Sequence, residues 1–188
     1  MALMKIPGVQ KKLSLVSDVM KKKTLKILDI GCGAQKTKGA IGIDIDKESD
    51  ADIIHDLSVF PYPLKDSEFD QIVCKQVLEH LDKPLEVLKE IHRIAKPGAL
   101  IIIEVPHFSC HYAFRSLHHK RFFSYFSLDT FLKKSGLFSM QERQITFHRT
   151  FRRWGLNRIF NRFPLGYERF WAFVCPAENL HFELRIIK

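Results

Sequence analysis

Two glycines, Gly31 and Gly33, close the apolar run Ile27-Leu28-Asp29-Ile30. Glycines at a strand's carboxyl end let bare backbone approach a ligand, because no Cβ stands in the way. Thirteen residues past Gly31 a carboxylate, Asp44, closes a second run, Ile41-Gly42-Ile43-Asp44-Ile45-Asp46. An acid in that place can accept hydrogen bonds from both hydroxyls of a ribose, each charged bond contributing about 1.5–3 kcal/mol. The competing reading is an Asp that caps its own turn; the glycine loop upstream favours the ribose. The spacing does not match the dinucleotide fingerprint, which needs a third glycine three residues after Gly33 and an acid about twenty residues on. Position 36 is Lys36, and Asp44 comes too early. A nicotinamide-dependent oxidoreductase is therefore a rival that its own motif does not support.

Proton transfer needs a group that titrates near neutrality. His80, His107 and His111 follow the fourth and fifth apolar runs, each with an ordinary pKa of about 6.5. They are the candidate catalytic residues; the alternative has His80 bonding a helix start and His107 closing a strand. His107, Cys110, His111, His118 and His119 also carry metal-ligand atoms, but their intervals match no zinc pattern, so no metal site is expected. The four cysteines, Cys32, Cys74, Cys110 and Cys175, form no CxxC pair, which fits free thiols in a reducing compartment.

These residues need a frame to hold them. Apolar runs at 25–30, 40–45, 52–55, 69–75 and 99–105 are strand-sized, and their Ile and Val content suits strands covered on both faces. Between the fourth and fifth runs a helix is spelled by Asp82 as N-cap, Pro84 in the first turn, Leu85, Leu88 and Ile91 on one face, and Pro97-Gly98 as the stop. A strand, helix, strand unit implies parallel pairing. The first two connections have fewer than ten residues each, whereas a helical crossover takes a dozen or more, so their helices are reduced to turns. Val9, Leu13, Val16 and Met20 predict a covering helix over 8–20, followed by a solvated lysine turn at 21–23. Residues 128–135 read as a helix capped by Ser127, and 138–147 and 180–187 as strands; 108–126 has no clear period.

LDIGCG, GIDID, DIIHDL, FDQIVCKQVLEHL and EIHRIAKPGALIIIEVP follow one another over residues 24–106. In that order they resemble the class I S-adenosylmethionine-dependent methyltransferases of the type 11 kind. The resemblance implies a three-layer α/β sandwich, Rossmann-like, with a mostly parallel seven-stranded sheet in the order 3-2-1-4-5-7-6 and one antiparallel strand. It implies S-adenosylmethionine as cofactor and S-adenosylhomocysteine as product. Asp29, Gly31, Cys32 and Gly33 would line the methionine part, Asp44 and Ile45 the ribose, and Asp56 and Leu57 the adenine, with Asp52 as fallback. Lys75 and Gln76 would close over the sulfonium. The compact loop 34–39 and the phrase His119 to Tyr125 resemble a short subgroup with a reduced first crossover helix. In that subgroup Lys36 or Lys38 is the candidate for the cofactor's carboxylate, and His118, His119 and Arg121 are the candidate acceptor-binding residues. The subgroup's link to cell-surface sugar assembly implies a sugar- or nucleotide-linked acceptor. No Asn-Pro-Pro-Tyr, Asp-Pro-Pro-Tyr or Pro-Cys segment is present, which speaks against amino-methylation of adenine or glutamine and against a cytosine-type covalent nucleophile.

With 188 residues, 46% hydrophobic content and sixteen Phe, the chain has apolar material for one core. One domain over 1–188 is expected, made of a covering helix (1–23), a cofactor-binding core (24–106) and a substrate-side lid with closing strands (107–188). Thirty Lys and Arg against twenty-one Asp and Glu give a net charge of +9. That balance points to an anionic partner: nucleic acid, a phosphorylated compound or an acidic membrane surface. Positive charge is densest over 143–169, where seven Arg face one Glu and interleave with Phe147, Phe151, Trp154, Phe160 and Phe163. Such a segment reads as a lid with its aromatics inward, a nucleic-acid surface, or a face resting on anionic lipid. The non-enzymatic rival is a basic RNA- or membrane-binding protein on the same fold. No apolar run is long enough for a signal peptide or a membrane span, so a soluble, cytoplasmic protein is expected.

Overall fold

Seven strands, β1 (Ile27–Ile30), β2 (Ile41–Asp44), β3 (Ile53–Ile54), β4 (Phe69–Lys75), β5 (Ala95–Pro106), β6 (Phe138–Ile145) and β7 (Asn179–Ile186), form one sheet in the computed structural model, which describes residues 25–188. Their order is β3-β2-β1-β4-β5-β7-β6. Strands β1 to β5 pair in parallel, and β7 runs antiparallel to both its neighbours, β5 and β6. This is the α/β, Rossmann-like order that the resemblance implies. The helix expected over 8–20 and the lysine turn after it lie outside the described residues. Leu28, Ile30, Ile43, Ile72, Ile101, Ile103 and Phe182 are fully buried, as a sheet of branched residues covered on both faces requires.

Helix α1 (Pro84–Ile94) joins β4 to β5, but its details differ from those the sequence suggests. Lys83 occupies the N-cap and makes no side-chain cap bond; the Asp82 carboxylate is instead taken by Lys120 Nζ at 2.6 Å. The buried face is Val87, Leu88, Ile91 and Ile94, while Leu85 is 47% exposed. The helix ends at Ile94, before Pro97-Gly98, because Ala95 already pairs with Phe69 and the irregular start of β5 absorbs the Pro-Gly.

As expected, neither 31–40 nor 45–52 contains a helix; nor does the third connection, 55–68. Side chains pin these loops in place of helix packing. Asp29 Oδ2 accepts from Thr37 N at 2.6 Å, and Lys36 Nζ pairs with Asp52 at 2.8 Å. A Cβ on Gly42 would stand 2.6 Å from Lys36 Cδ and 2.7 Å from Cys32 Sγ, so the bare backbone of β2 lets the first loop lie against it. Over 55–68, Tyr62 N donates to Glu90 Oε1 at 2.7 Å, and Arg93 of α1 donates to Glu90 and Asp66 and to the carbonyls of Tyr62 and Leu64.

Because β5 and β6 are both antiparallel to β7, they share a direction. Pro106 and Ile145 therefore end on the same sheet edge as Ile30, Asp44 and Lys75. Residues 107–137, with α2 (His111–Arg115) and α3 (Asp129–Ser135), leave from that edge. Residues 146–178, with α4 (Arg149–Arg153), α5 (Leu156–Arg162) and α6 (Pro164–Phe170), both leave from it and return to it. All four cysteines are free. No helix among the described residues is long and apolar enough to cross a membrane.

Candidate active site

Strand order reverses about β1, and in open α/β sheets the crevice outside the carboxyl ends at such a point is where ligands bind. A cavity of about 400 Å³ opens there, lined by Gly31 after β1, Asp44 and Ile45 at the end of β2, Asp56 to Ser58 after β3, and Gln76, Val77, His80 and Leu81 after β4. Gly31 turns the chain with φ 65° and is tied to β2 through its N–H to Ile43 O at 2.8 Å. Gln76 is a rare non-glycine residue in the left-handed region, at φ 55°. Its N–H donates to Glu104 O at 2.8 Å and its side-chain amide to Asn179 Oδ1 at 3.2 Å. Asp44 caps its own turn: Oδ2 accepts from Gly33 N at 2.8 Å and Oδ1 from Asp46 N at 2.9 Å. Each oxygen keeps a second lone pair, and the residue lines the cavity.

Of the residues expected around the cofactor, Gly31, Asp44, Ile45, Asp56, Leu57 and Gln76 meet at this cavity, and Asp29, Cys32, Gly33 and Lys75 do not line it. Asp29 is 5% exposed and anchors the first loop. Asp29→Ala leaves the Thr37 N–H without its acceptor and is expected to cost about 1–3 kcal/mol, measured as a shift of the urea midpoint. Gly33 acts indirectly, by holding Asp44. Burial and the neighbouring carboxylates Asp44 and Asp29 push the Cys32 thiol up, away from reactivity. Lys36 and Asp52 are committed to each other, and Asp52 also accepts from Gly42 N at 2.7 Å, so neither faces a ligand freely. Ser58, Val77 and Leu81 complete the wall without having been singled out in the sequence, which gives apolar and hydroxyl linings no pattern of their own.

Only one of the three candidate histidines lies at the cavity. His107 is fully buried. Its Nδ1 accepts from Ser109 N at 3.1 Å and its Nε2 meets Glu168 Oε1 at 3.2 Å. Both ring nitrogens are used inside the core, which corrects the expectation of a base there. His111 is exposed, stacked near Tyr112 with ring centroids 3.9 Å apart, and does not line the cavity. His80 does line it, and its ring lies 4.6 Å from that of His119. Burial, and after it the neighbouring His119, lower its pKa, which favours the neutral imidazole. His118, His119 and Arg121 stand outside the lining: His119 Nδ1 donates to Ala113 O at 3.1 Å, and Arg121 donates to Asp82 O at 2.8 Å.

The arginine-rich segment divides its aromatics. Phe147, Phe160 and Tyr167 are buried, whereas Trp154 and Phe163 are exposed, as are Phe170 and Trp171 just after the segment. A second hollow of about 540 Å³ is lined by Arg149, Thr150, Arg153 and Trp154.

Residues 28–103 match the family model described as a methyltransferase domain. A search of curated proteins returned no match. Among solved structures, the chain is similar to an S-adenosylmethionine-dependent methyltransferase from Archaeoglobus fulgidus, with a TM-score of 0.60 at 19% identity over 94% of this chain and 93% of that one. It is also similar to one from Methanosarcina mazei, with a TM-score of 0.58 at 18% identity over 98% and 99%. A third relative in shape is named a [4+2]-cyclase, SpnF, with a TM-score of 0.56 at 16% identity over 95% and 82%, so the fold alone does not fix the reaction. Residues 28–103 thus match a methyltransferase domain, and the chain shares the fold of solved S-adenosylmethionine-dependent methyltransferases.

Proposed function

We propose that the chain binds S-adenosylmethionine in the cavity at the carboxyl ends of β1 to β4 and transfers its methyl group to an anionic, sugar- or nucleotide-linked acceptor held at the arginine-rich rim. The observation that carries this reading is one cavity bounded both by the bare backbone of Gly31 and by the Asp44 carboxylate. Its volume of about 400 Å³ falls within the usual range of small-molecule sites, about 300–1,000 Å³. Asp44 offers its remaining lone pairs to the two ribose hydroxyls, and Asp56 its carboxylate to the adenine amino group. When bound, the cofactor supplies a methyl made electrophilic by the sulfonium, which is left as a neutral thioether.

The chain's own part is chiefly to position the acceptor in line with that methyl. His80, neutral at the cavity wall, offers a lone pair to an acceptor's proton or to a cation. An anionic acceptor is supported by Arg149 and Arg153 around the second hollow, with Trp154 beside them to stack on a ring. Residues 146–178 begin and end on the cavity's edge of the sheet.

Calorimetry with S-adenosylhomocysteine tests the reading. One site per chain is expected, with Asp44→Ala weakening it by about 100-fold or more, since two charged hydrogen bonds contribute about 1.5 kcal/mol or more each. NAD is expected not to bind. Binding of NAD without S-adenosylhomocysteine would reverse the reading in favour of an oxidoreductase. Salt-sensitive RNA or vesicle binding that ignores Asp44→Ala, in a chain that takes up no S-adenosylhomocysteine, would favour the non-enzymatic rival.

A further inference from the structure

Glu79 is 1% exposed, and among the described residues neither of its carboxylate oxygens has a hydrogen-bond partner. A buried carboxylate in that state costs several kcal/mol unless it is protonated, paired or bound to a metal. The nearby cations are engaged elsewhere: Lys120 Nζ goes to Asp82, and the Arg121 guanidinium to the Asp82 carbonyl. What does face Glu79 is imidazole. One ligand atom each from Glu79, His80 and His119 lie within 4.8 Å of one another. Bonds of about 2.0–2.2 Å in a tetrahedral site set an edge of about 3.4 Å between ligand atoms, so the three would have to draw closer around an ion.

The surroundings are those of a built site. Residues 116–121 are clamped onto the segment Leu78–His80 by Lys120 N and Arg121 N, which donate to Glu79 O at 2.7 and 3.1 Å. His119 spends its Nδ1–H on Ala113 O at 3.1 Å, which leaves Nε2 with a free lone pair. Imidazole N–H groups held by backbone carbonyls are the usual outer support of metal-bound histidines.

We propose that Glu79, His80 and His119 bind one divalent transition-metal ion of the zinc class at the wall of the cavity. Two imidazoles and one carboxylate suit zinc, cobalt, iron or nickel better than magnesium or calcium, which prefer all-oxygen cages. Three protein ligands leave a tetrahedral ion one open position, the arrangement of metal sites that take up a further ligand. His80 then serves as a ligand and not as a base. Under this assignment the carboxylate that looks wasteful in the bare chain becomes a ligand whose charge is needed.

The experiment uses the full chain, stripped with a chelator and titrated with Co²⁺ and then Zn²⁺, without any nucleoside ligand, so it does not depend on the cofactor reading. The expected result is one Co²⁺ per chain with the visible absorption of a four- or five-coordinate site, displaced by Zn²⁺ and not by Mg²⁺. Glu79→Gln and His119→Asn are each expected to abolish that absorption and weaken Zn²⁺ by about 100-fold or more, above the roughly 10- to 100-fold cost of losing an outer support. His148→Ala, a surface histidine outside the cluster, is expected to leave both unchanged. Glu79→Gln should melt no lower than the metal-free parent, because it removes an unpartnered buried charge, so its loss of signal is not loss of fold. Co²⁺ absorption that persists in both cluster variants, or parent Zn²⁺ affinity no tighter than that of a Glu79→Gln/His119→Asn double variant, would overturn the proposal.

Discussion

Gly31→Ala is expected to abolish S-adenosylhomocysteine binding and to lower stability by roughly 2–5 kcal/mol, the sum of a left-handed backbone cost and an overpacked contact. The residue sits at φ 65°, and an added Cβ would stand 2.3 Å from Val77 Cγ2. Neither side can yield easily. The Gly31 N–H is bound to Ile43 O at 2.8 Å, and Val77 follows Gln76, whose own N–H is bound to Glu104 O at 2.8 Å. Gly31 and Val77 both line the cavity, so the displacement falls on the surface that holds the ligand. Gly33→Ala provides the comparison. Its φ is 52° but nothing lies within 4 Å of the added atom, so only the backbone cost of about 1–2 kcal/mol applies. In Gly31→Ala/Val77→Ala the clash is relieved, and part of both losses should return. Urea melts of the parent, Gly31→Ala, Val77→Ala and the double variant, with calorimetry on each, measure the cycle; a Gly31→Ala chain that binds and melts like the parent would contradict the close approach.

Glu168→Ala is expected to cost about 2–5 kcal/mol in denaturant unfolding, because it strips one acceptor from two donors. Glu168 Oε1, on α6, receives both the Nε2–H of His107 and the N–H of Tyr125. His107 has no exposure to water, and each buried donor left unsatisfied costs about 1–3 kcal/mol. Since Nδ1 of His107 accepts from Ser109 N, the ring is the neutral Nε2–H form and needs an acceptor rather than a counter-charge. Glu168→Gln keeps one carbonyl oxygen and is expected to lose less than half as much. Equal losses in the two variants would mean that charge, not hydrogen-bond satisfaction, holds the late segment to the sheet.

These two sites also mark what could be read from residues alone. The turn at Gly31 and the acid at Asp44 were legible because local chemistry determines them: a bend without Cβ atoms and a carboxylate closing a short apolar run. The strands were legible for the same reason, since branched residues buried on both faces leave an uninterrupted apolar run. The misreadings come from contacts across long stretches of chain. Asp82 has the residue type of a helix cap, but Lys120, 38 positions away, takes its carboxylate. His107 looks like a base after a strand, but Glu168, 61 positions away, takes its ring. Glu79 carried no sequence signal, because only folding shows that the neighbouring cations turn to Asp82 and leave its carboxylate alone. The third shortened connection was missed because Arg93 of α1 supplies the anchoring that a crossover helix would otherwise provide.

The most direct test of the cofactor reading is a crystal structure of the chain grown with S-adenosylhomocysteine. The expected result is density for the nucleoside against the bare backbone of Gly31, with both ribose hydroxyls within hydrogen-bond reach of the Asp44 carboxylate and the adenine near Asp56. A ligand bound elsewhere, or a cavity closed by its own side chains with Asp44 turned into solvent, would contradict it.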